Sequence, residues 1–481
     1  MVDPVIDYSR KWKVMMAVGM GIFLGTIDGS IVNIALPTLV TDLNTSFNHV
    51  QWVLLGYLLT IATLTVSVGR LADMKGKKSI YTIGYVVFTA GSVMCGLASD
   101  IYSLIAFRVI QALGAAMIFS LGMGIITESF PREERGKALG IAGSLVSIGI
   151  VAGPTLGGLI LSVASWHWIF FVNLPIGILG TWIALRNIPN IKPAGGQKFD
   201  IFGALTLGLC LLMLLIGLTW GQERGFSSAP IIALLIGSAV FLIFFIFIEL
   251  HAEQPMVELG MFKSRVLTKG LVTGWIIFIA IAGLSLLMPF YLTNVIGLAP
   301  LFAGLVMSVE PILMGFIAPL AGWMSDRIGT RPIVFIGLFF MLLAYLIMHT
   351  LDENSSMIAI LGSLLLIGMG MGTFNSPNNS EIMGSASRDR LGVVSSVLAL
   401  TRSLGQTLGA AILGSIWAIH VLAYTGTIPE GGAAGAPVTA QVAGFQDAFL
   451  YMGGLVLIAI LIAGWELYKA KSSPVVSQIS E

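Results

Sequence analysis

Charge is scarce in this chain: 25 Lys and Arg and 24 Asp and Glu among 481 residues, 10% of the total. A soluble domain carries about 25%. Too few polar side chains remain to cover a water-facing surface, which excludes a soluble globular protein. The charges nearly cancel, at +1, so nucleic-acid binding by bulk charge is excluded as well. Cysteine is nearly missing. Cys95 and Cys210 both fall in apolar runs and supply neither a disulfide framework nor a Cys-based metal site. The histidines (His49, His167, His251, His349 and His420) stand near the ends of apolar runs without ligand spacing. The clustered His, Cys and acid residues that a membrane enzyme needs are absent, and no metal site is expected. No polar stretch is long enough for a sizeable soluble domain.

Apolar residues make up 56% of the chain. They fall into about fourteen runs long enough to cross a bilayer as helices. These lie at roughly 13–37, 49–72, 79–98, 102–128, 138–162, 166–187, 200–220, 228–250, 267–294, 302–326, 332–350, 355–379, 390–420 and 447–469. Runs of this length exclude a barrel, whose strands alternate and span in about ten residues. The basic N-terminal segment leads into a first run of about 25 residues, too long for a cleaved leader. Lys and Arg cluster in alternate loops: Arg10, Lys11 and Lys13, then Arg70 to Lys78, Arg132 to Lys137, Lys192 and Lys198, Lys263 to Lys269, Arg327 and Arg331, Arg388 and Arg390, and Lys469 and Lys471. The opposite loops hold Arg224. This bias predicts an even helix count with both termini in the cytoplasm of a multi-pass cell-membrane protein.

An internal repeat divides the chain. Gly69, Asp73, Gly76 and Lys78 in GRLADMKGKK match Gly322, Asp326, Gly329 and Arg331 in GWMSDRIGTR at a constant offset of 253 residues. Equal sidedness of the two copies implies two six-helix halves related by an axis along the membrane normal. The predicted organisation is a six-helix bundle over 1–187, a linker with two inserted helices over 188–265, and a second bundle over 266–481. The stretch 251–265 reads as a short interfacial helix.

Two lone acids interrupt apolar runs: Asp28 in GTIDGSIVN and Glu310 in MSVEPILMG. A charge at the bilayer centre costs at least about 2.5 kcal/mol, so each marks a functional site by default. Together they suggest movement of protons, cations or both.

With these features, and five motifs in order, the sequence resembles the major facilitator superfamily over nearly its whole length. It is most similar to the 14-helix drug:proton antiporter branch. The loop motif is matched by Gly69, Arg70, Asp73, Gly76, Lys77 and Lys78. The first-helix motif is matched by Asp28, Ile31, Val32, Asn33, Ala35, Leu36 and Pro37, and the fourth-helix motif by Arg108, Gln111, Ala112 and Gly114. The antiporter motif is matched by Gly149, Gly153, Pro154, Gly157 and Gly158. Trp166 to Gly177 follows the branch's W-R-W-I-F pattern, with His167 for Arg. Glu310 before Pro311, and Trp323 and Met324 in the second loop copy, depart from the usual residues.

The resemblance implies two pseudo-symmetric bundles plus an inserted helix pair. It also implies export of lipophilic, preferentially cationic drugs or toxic compounds against protons by alternating access, a route to antibiotic resistance. Export of a lipid, fatty acid or endogenous metabolite is the alternative. No cofactor is implied beyond the proton gradient, and the family's default is a monomer.

Residue by residue, Asp28 is a protonation site, a cation-binding carboxylate or a structural acid. Arg108 is its natural partner, because a buried arginine without an anion is costly. Such pairing keeps a carboxylate ionised, whereas desolvation without a base favours the protonated acid. On that ground Glu310 is the favoured proton- and cation-responsive acid. Arg402 is a cavity-lining base or an arginine capping carbonyls at a helix mouth. Trp52, Tyr57, Trp275 and Phe278 are candidates for stacking on a flat cation. Asn33, Gln111, Asn173, Asn375, Asn378 and Asn379 are candidate cavity-lining amides, and Asn378 and Asn379 alternatively cap a helix end. Gly69, Arg70, Asp73, Gly76 and Lys78, with Asp326, Arg327 and Arg331, are candidate gating residues. The antiporter-motif glycines read as close helix packing.

Overall fold

The computed structural model describes residues 8–131, 134–190, 200–252, 255, 259–385, 391–426 and 432–472. Among them the chain is helical, with no strand. The first half holds α1 (Lys11–Asp42), α2 (Phe47–Lys75), α3 (Lys77–Gly96), α4 (Ile101–Ser129), α5 (Arg135–Val163), α6 (Trp168–Phe171) and α7 (Asn173–Asn187). The inserted pair is α8 (Ile201–Arg224) and α9 (Ala229–His251). The second half holds α10 (Arg265–Phe290), α11 (Pro300–Ile328), α12 (Thr330–Met348), α13 (Met357–Gly384), α14 (Leu391–Thr425) and α15 (Val438–Ser472). The short α6 and α7 act as one span, and 14 membrane-length helices result.

The helices begin and end near the edges of the apolar runs, because inside lipid only the intrahelical ladder satisfies the backbone. The clearest difference is α15, which starts at Val438 rather than at about 447. Its extra turns are anchored by two glutamines, Gln441 and Gln446, whose amides donate to the carbonyls of Ala434, Ala436 and Leu351. The expected interfacial helix at 251–265 is a 3-10 turn at Leu259–Lys263, and residues 253, 254 and 256–258 of that stretch lie outside the described residues.

The repeat is visible in the geometry. α2 and α11 each have 29 residues, and both loops that follow turn on a glycine with positive φ, 96° at Gly76 and 90° at Gly329. A β-carbon is strained in that region. Within each half, α3 packs on α4 and α12 on α13 through close-approach glycines. An added methyl at Gly114 would lie 2.3 Å from the Phe88 nitrogen, and one at Gly370 would lie 2.8 Å from the Gly337 carbonyl oxygen. The motif glycines of α5, Gly149, Gly153 and Gly157, pack on Thr26, Ser30 and Ile34 of α1. Gly405 and Gly409 of α14 pack in the same way on Trp275 to Ile279 of α10.

For orientation, the end of the bundle at Lys11, Gly76 and Gly329 is here the basic end, and the other is the far end. The halves meet in the far-end part. The Thr155 and Ser308 hydroxyls lie 2.6 Å apart, Ser308 donates to the Val151 carbonyl, and Gln51 Nε2 donates to the Ala410 carbonyl at 2.7 Å. Phe47 packs edge-on against Phe290 and Trp417. On the same face of α11, nearer the basic end, Gly315 is exposed with nothing within 4 Å of an added methyl. The seam between the halves is therefore closed at the far end, and Gly315 marks where this face of α11 opens into a crevice toward the basic end. The inserted pair lies beside the α2–α14 seam: Trp52 donates to Thr219, and Ser415 donates to the Leu218 carbonyl. α9 turns Ile243, Phe244 and Phe247 outward, as a lipid-facing helix does.

Candidate functional site

Asp28 sits inside the first bundle with no exposed surface. One carboxylate oxygen accepts from Arg108 at 2.7 Å, and the other accepts from Gln111 at 2.8 Å and Asn173 at 2.9 Å. Arg108 also donates to the Gln111 amide oxygen at 2.7 Å and to the Val53 carbonyl at 3.3 Å. Asn173 continues the network to Ser92, whose hydroxyl donates to the Phe170 carbonyl. The Tyr57 ring lies 4.0 Å beneath the guanidinium. The first-helix and fourth-helix motifs thus converge, with Asn173 of the W-H-W-I-F segment, on one charge-neutral cluster. Pairing of Asp28 with Arg108 follows the sequence expectation. Placement of Gln111, Asn173 and Tyr57 in this cluster, rather than along the crevice, is what the sequence did not reveal. Ser92 was missed altogether, because a lone serine in an apolar helix carries no pattern.

The second half repeats the helices but not the cluster. At the offset of the loop motif, the counterpart of Tyr57 is Glu310. Ser308 faces α5, and Glu310, two residues on and about 200° round the helix, faces α13. Its backbone oxygen would lie 2.5 Å from a methyl at Gly368. No described residue forms a hydrogen bond or ion pair with its carboxylate. Tyr345 of α12 is within its electrostatic reach, and the Tyr345 hydroxyl is buried with no partner.

Arg402 is the second uncompensated charge. It is half-buried, 5.4 Å from the Phe278 ring, and makes no hydrogen bond or ion pair with any described residue. The carbonyl-capping role allowed by the sequence is therefore corrected: no described carbonyl accepts from it. Trp275, half-buried, and Phe278, buried, lie one turn apart on α10 against Gly405. Trp52 is turned toward α8 by its bond to Thr219. Asn33 is half-buried, with a side-chain oxygen that has no partner, and neighbouring Gly29 faces open space. Asn378 donates to the Gly270 carbonyl, bridging α13 to α10 instead of capping a helix, and Asn379 donates to Asn375.

At the basic end, Lys77 pairs with Glu128 in the first half, and Arg331 pairs with Glu381 at 3.3 Å in the second. A cation after each loop glycine is thus held by an acid near the end of α4 or α13. The sequence reading missed both acids because they stand some fifty residues from their partners. Arg327 stacks over Trp323 at 4.0 Å. Gly69 and Gly322 approach Ser120 and Ser376. The side chains of Arg70, Asp73 and Asp326 lie outside those described. A small cavity of about 40 Å³ opens between α10, α12, α13 and α15, lined by Lys269, Thr273, Arg331, Asn378 and Glu381 among others. Among the described residues no group of three or more metal-ligating side chains occurs.

Comparison with known proteins agrees with this architecture. Residues 18–410 match the family model described as Major Facilitator Superfamily. The chain is 35% identical to the riboflavin transporter RibZ of Clostridioides difficile, covering 85% of this chain and 89% of that protein. It is 32% identical to the multidrug resistance protein Stp of Mycobacterium tuberculosis, covering 84% and 75%. Among solved structures, it aligns with a bacterial homologue of the human lysosomal transporter Spinster, in an inward-facing, unoccupied conformation. That match has TM-score 0.68 at 18% identity and covers 95% of this chain and 97% of the other.

Proposed function

The chain belongs to the major facilitator superfamily, and from that premise we propose that it is a proton-coupled exporter of lipophilic, cation-bearing compounds. The family is one of membrane transporters rather than enzymes. The observation that carries the proposal is Glu310, an acid on a membrane helix with no base among the described residues to neutralise it. Such a group is stable when protonated and exposes a charge when it is not, so its occupancy can be linked to the rocking of the halves. Asp28 is compensated by Arg108 in place and serves as the scaffold of the first bundle.

In this reading the basic end faces the cytoplasm, as the distribution of Lys and Arg favours. Cargo enters the crevice there, and its binding is linked to protonation of Glu310, which lies behind the crevice face of α11 on the side packed against α13. Protonation from outside returns the cycle. One charge crossing 100 mV is worth about 2.3 kcal/mol. One pH unit adds about 1.4 kcal/mol per proton. A single exchanged proton therefore supports roughly a hundredfold gradient or more of neutral cargo, while a monovalent cation exchanged one for one feels the pH term alone. The multidrug relatives support the cargo class.

The test is ethidium efflux from proteoliposomes under an imposed pH gradient. Wild type moves dye when the gradient is present, and Glu310→Gln, inserted at equal yield, does not. Wild-type rates in the variant at several pH values would sink the assignment. The relative named as a riboflavin transporter favours a second reading, carriage of a flat, neutral heteroaromatic metabolite. Riboflavin counterflow without ethidium movement would select it.

A further inference from the structure

Arg402 has a different relation to its surroundings from the other arginine at this depth. Arg108 is enclosed and donates through Nε and Nη1 to a carboxylate, an amide oxygen and a backbone carbonyl, with Nη2 left without a partner. Arg402 lies 5.4 Å from the Phe278 ring and meets, among the described residues, no acceptor at all. An uncompensated guanidinium within a membrane is costly unless water or a bound ligand supplies the missing acceptors.

Its place on α14 says where those acceptors come from. Gly405 and Gly409 mark the side of α14 that packs on α10. Ala410 and Gly414 mark the side that meets Gln51 of α2. At about 100° per residue, Arg402 projects between those two sides, toward the crevice. It lies basic-ward of the α2–α14 contacts at Gln51, in the open part. The guanidinium is planar, with donors in a fork that suits a carboxylate or a pair of adjacent carbonyl oxygens. Beside it on α10 stand Trp275, half-buried, whose flat face suits an aromatic ring, and Phe278, buried behind the guanidinium.

We infer that Arg402, Trp275 and Phe278 form an acceptor subsite in the crevice for a flat aromatic group carrying a carboxylate or paired ring carbonyls. This deepens the transport reading, on which it rests for the identity of the ligand as cargo. It adds to the lipophilic cations a preference for aromatics with an acceptor edge. Glu310, elsewhere in the same half, then senses a charge of the other sign, and the two uncompensated groups do not neutralise each other.

The experiment is a fluorescence-polarisation titration of the full chain in detergent with two probes. Fluorescein has an aromatic carboxylate, and ethidium is a flat cation without an acceptor edge. Wild type binds fluorescein. Arg402→Ala lowers the fluorescein-to-ethidium affinity ratio at least tenfold, and Arg402→Lys, which keeps the charge and loses the fork, falls between. Size-exclusion profiles establish that the variants are folded, and the lysine variant carries the test if the alanine variant aggregates. Absence of fluorescein binding to wild type overturns the subsite, as does an equal affinity ratio in wild type and every monodisperse variant. Failure of wild-type ethidium efflux in proteoliposomes overturns the export reading instead, and leaves the binding result standing.

Discussion

A carboxylate that accepts three hydrogen bonds, one of them from arginine, with no exposed atom, is poorly placed to exchange protons with water. Its energetics are those of a buried pair, where removing one partner costs about 3–5 kcal/mol by stranding the other. Asp28→Asn should therefore act first on stability. An asparagine must turn its NH2 toward one of three donors, leaving that donor unsatisfied. The expected result is a clearly lower melting temperature in detergent, partly recovered in the Asp28→Asn/Arg108→Gln double variant. Normal melting with lost proton coupling would instead make Asp28 the carrier. At this scale the sequence revealed what cost dictates. An arginine and an aspartate, each alone in lipid, had to find each other. It did not reveal that Gln111, Asn173 and Ser92 complete the cluster, because short polar side chains carry no penalty large enough to force a partner. Nor could it show that Arg402 has none among the described residues.

Helices were legible because twenty apolar residues in lipid leave the backbone no other solution. Their partners were less so. The antiporter motif announces close packing through Gly149, Gly153, Pro154, Gly157 and Gly158, but small residues do not say against what. The structure gives two answers for one helix: the first three glycines on one face approach α1, and Gly158 approaches Pro300 and Leu301 of α11. The reciprocal residue on α11 is Gly304, where an added methyl would lie 2.1 Å from the Pro154 carbonyl oxygen. That atom is backbone and cannot turn aside. Overpacking of this kind costs typically about 1–3 kcal/mol, and here it acts on the far-end-closed state. Gly304→Ala should slow ethidium efflux by about tenfold, since 1.4 kcal/mol is a factor of ten. Gly454→Ala on α15, where nothing lies within 4 Å, is the control and should leave efflux unchanged. Equal rates in both would mean that α5 and α11 need not close so tightly.

If the two halves rock as proposed, one sequence encodes every position of that motion. This is why the count of spans and the repeat could be read from residues, whereas the open end could not. Neither Gly315 nor Ser308 is distinguishable from its neighbours by type, yet they lie seven residues apart on the same face of α11 in opposite surroundings. Ser308 is 2% exposed and hydrogen-bonded across the seam, and Gly315 is exposed with open space about it. A thiol at each position converts that difference into a rate of modification. The native Cys95 and Cys210 are free but buried, so they add little background. With a membrane-impermeant maleimide, Gly315→Cys should react in inverted vesicles and resist in intact cells, which tests cytoplasmic placement of the basic end. Ser308→Cys should resist from both sides at rest. If Glu310 couples the proton to the rocking, an imposed pH gradient should raise Ser308→Cys labelling from outside as it lowers Gly315→Cys labelling from inside. The same gradient should change neither rate when Glu310→Gln is added. Labelling of both positions from one side, whatever the gradient, would contradict a crevice that opens at one end at a time.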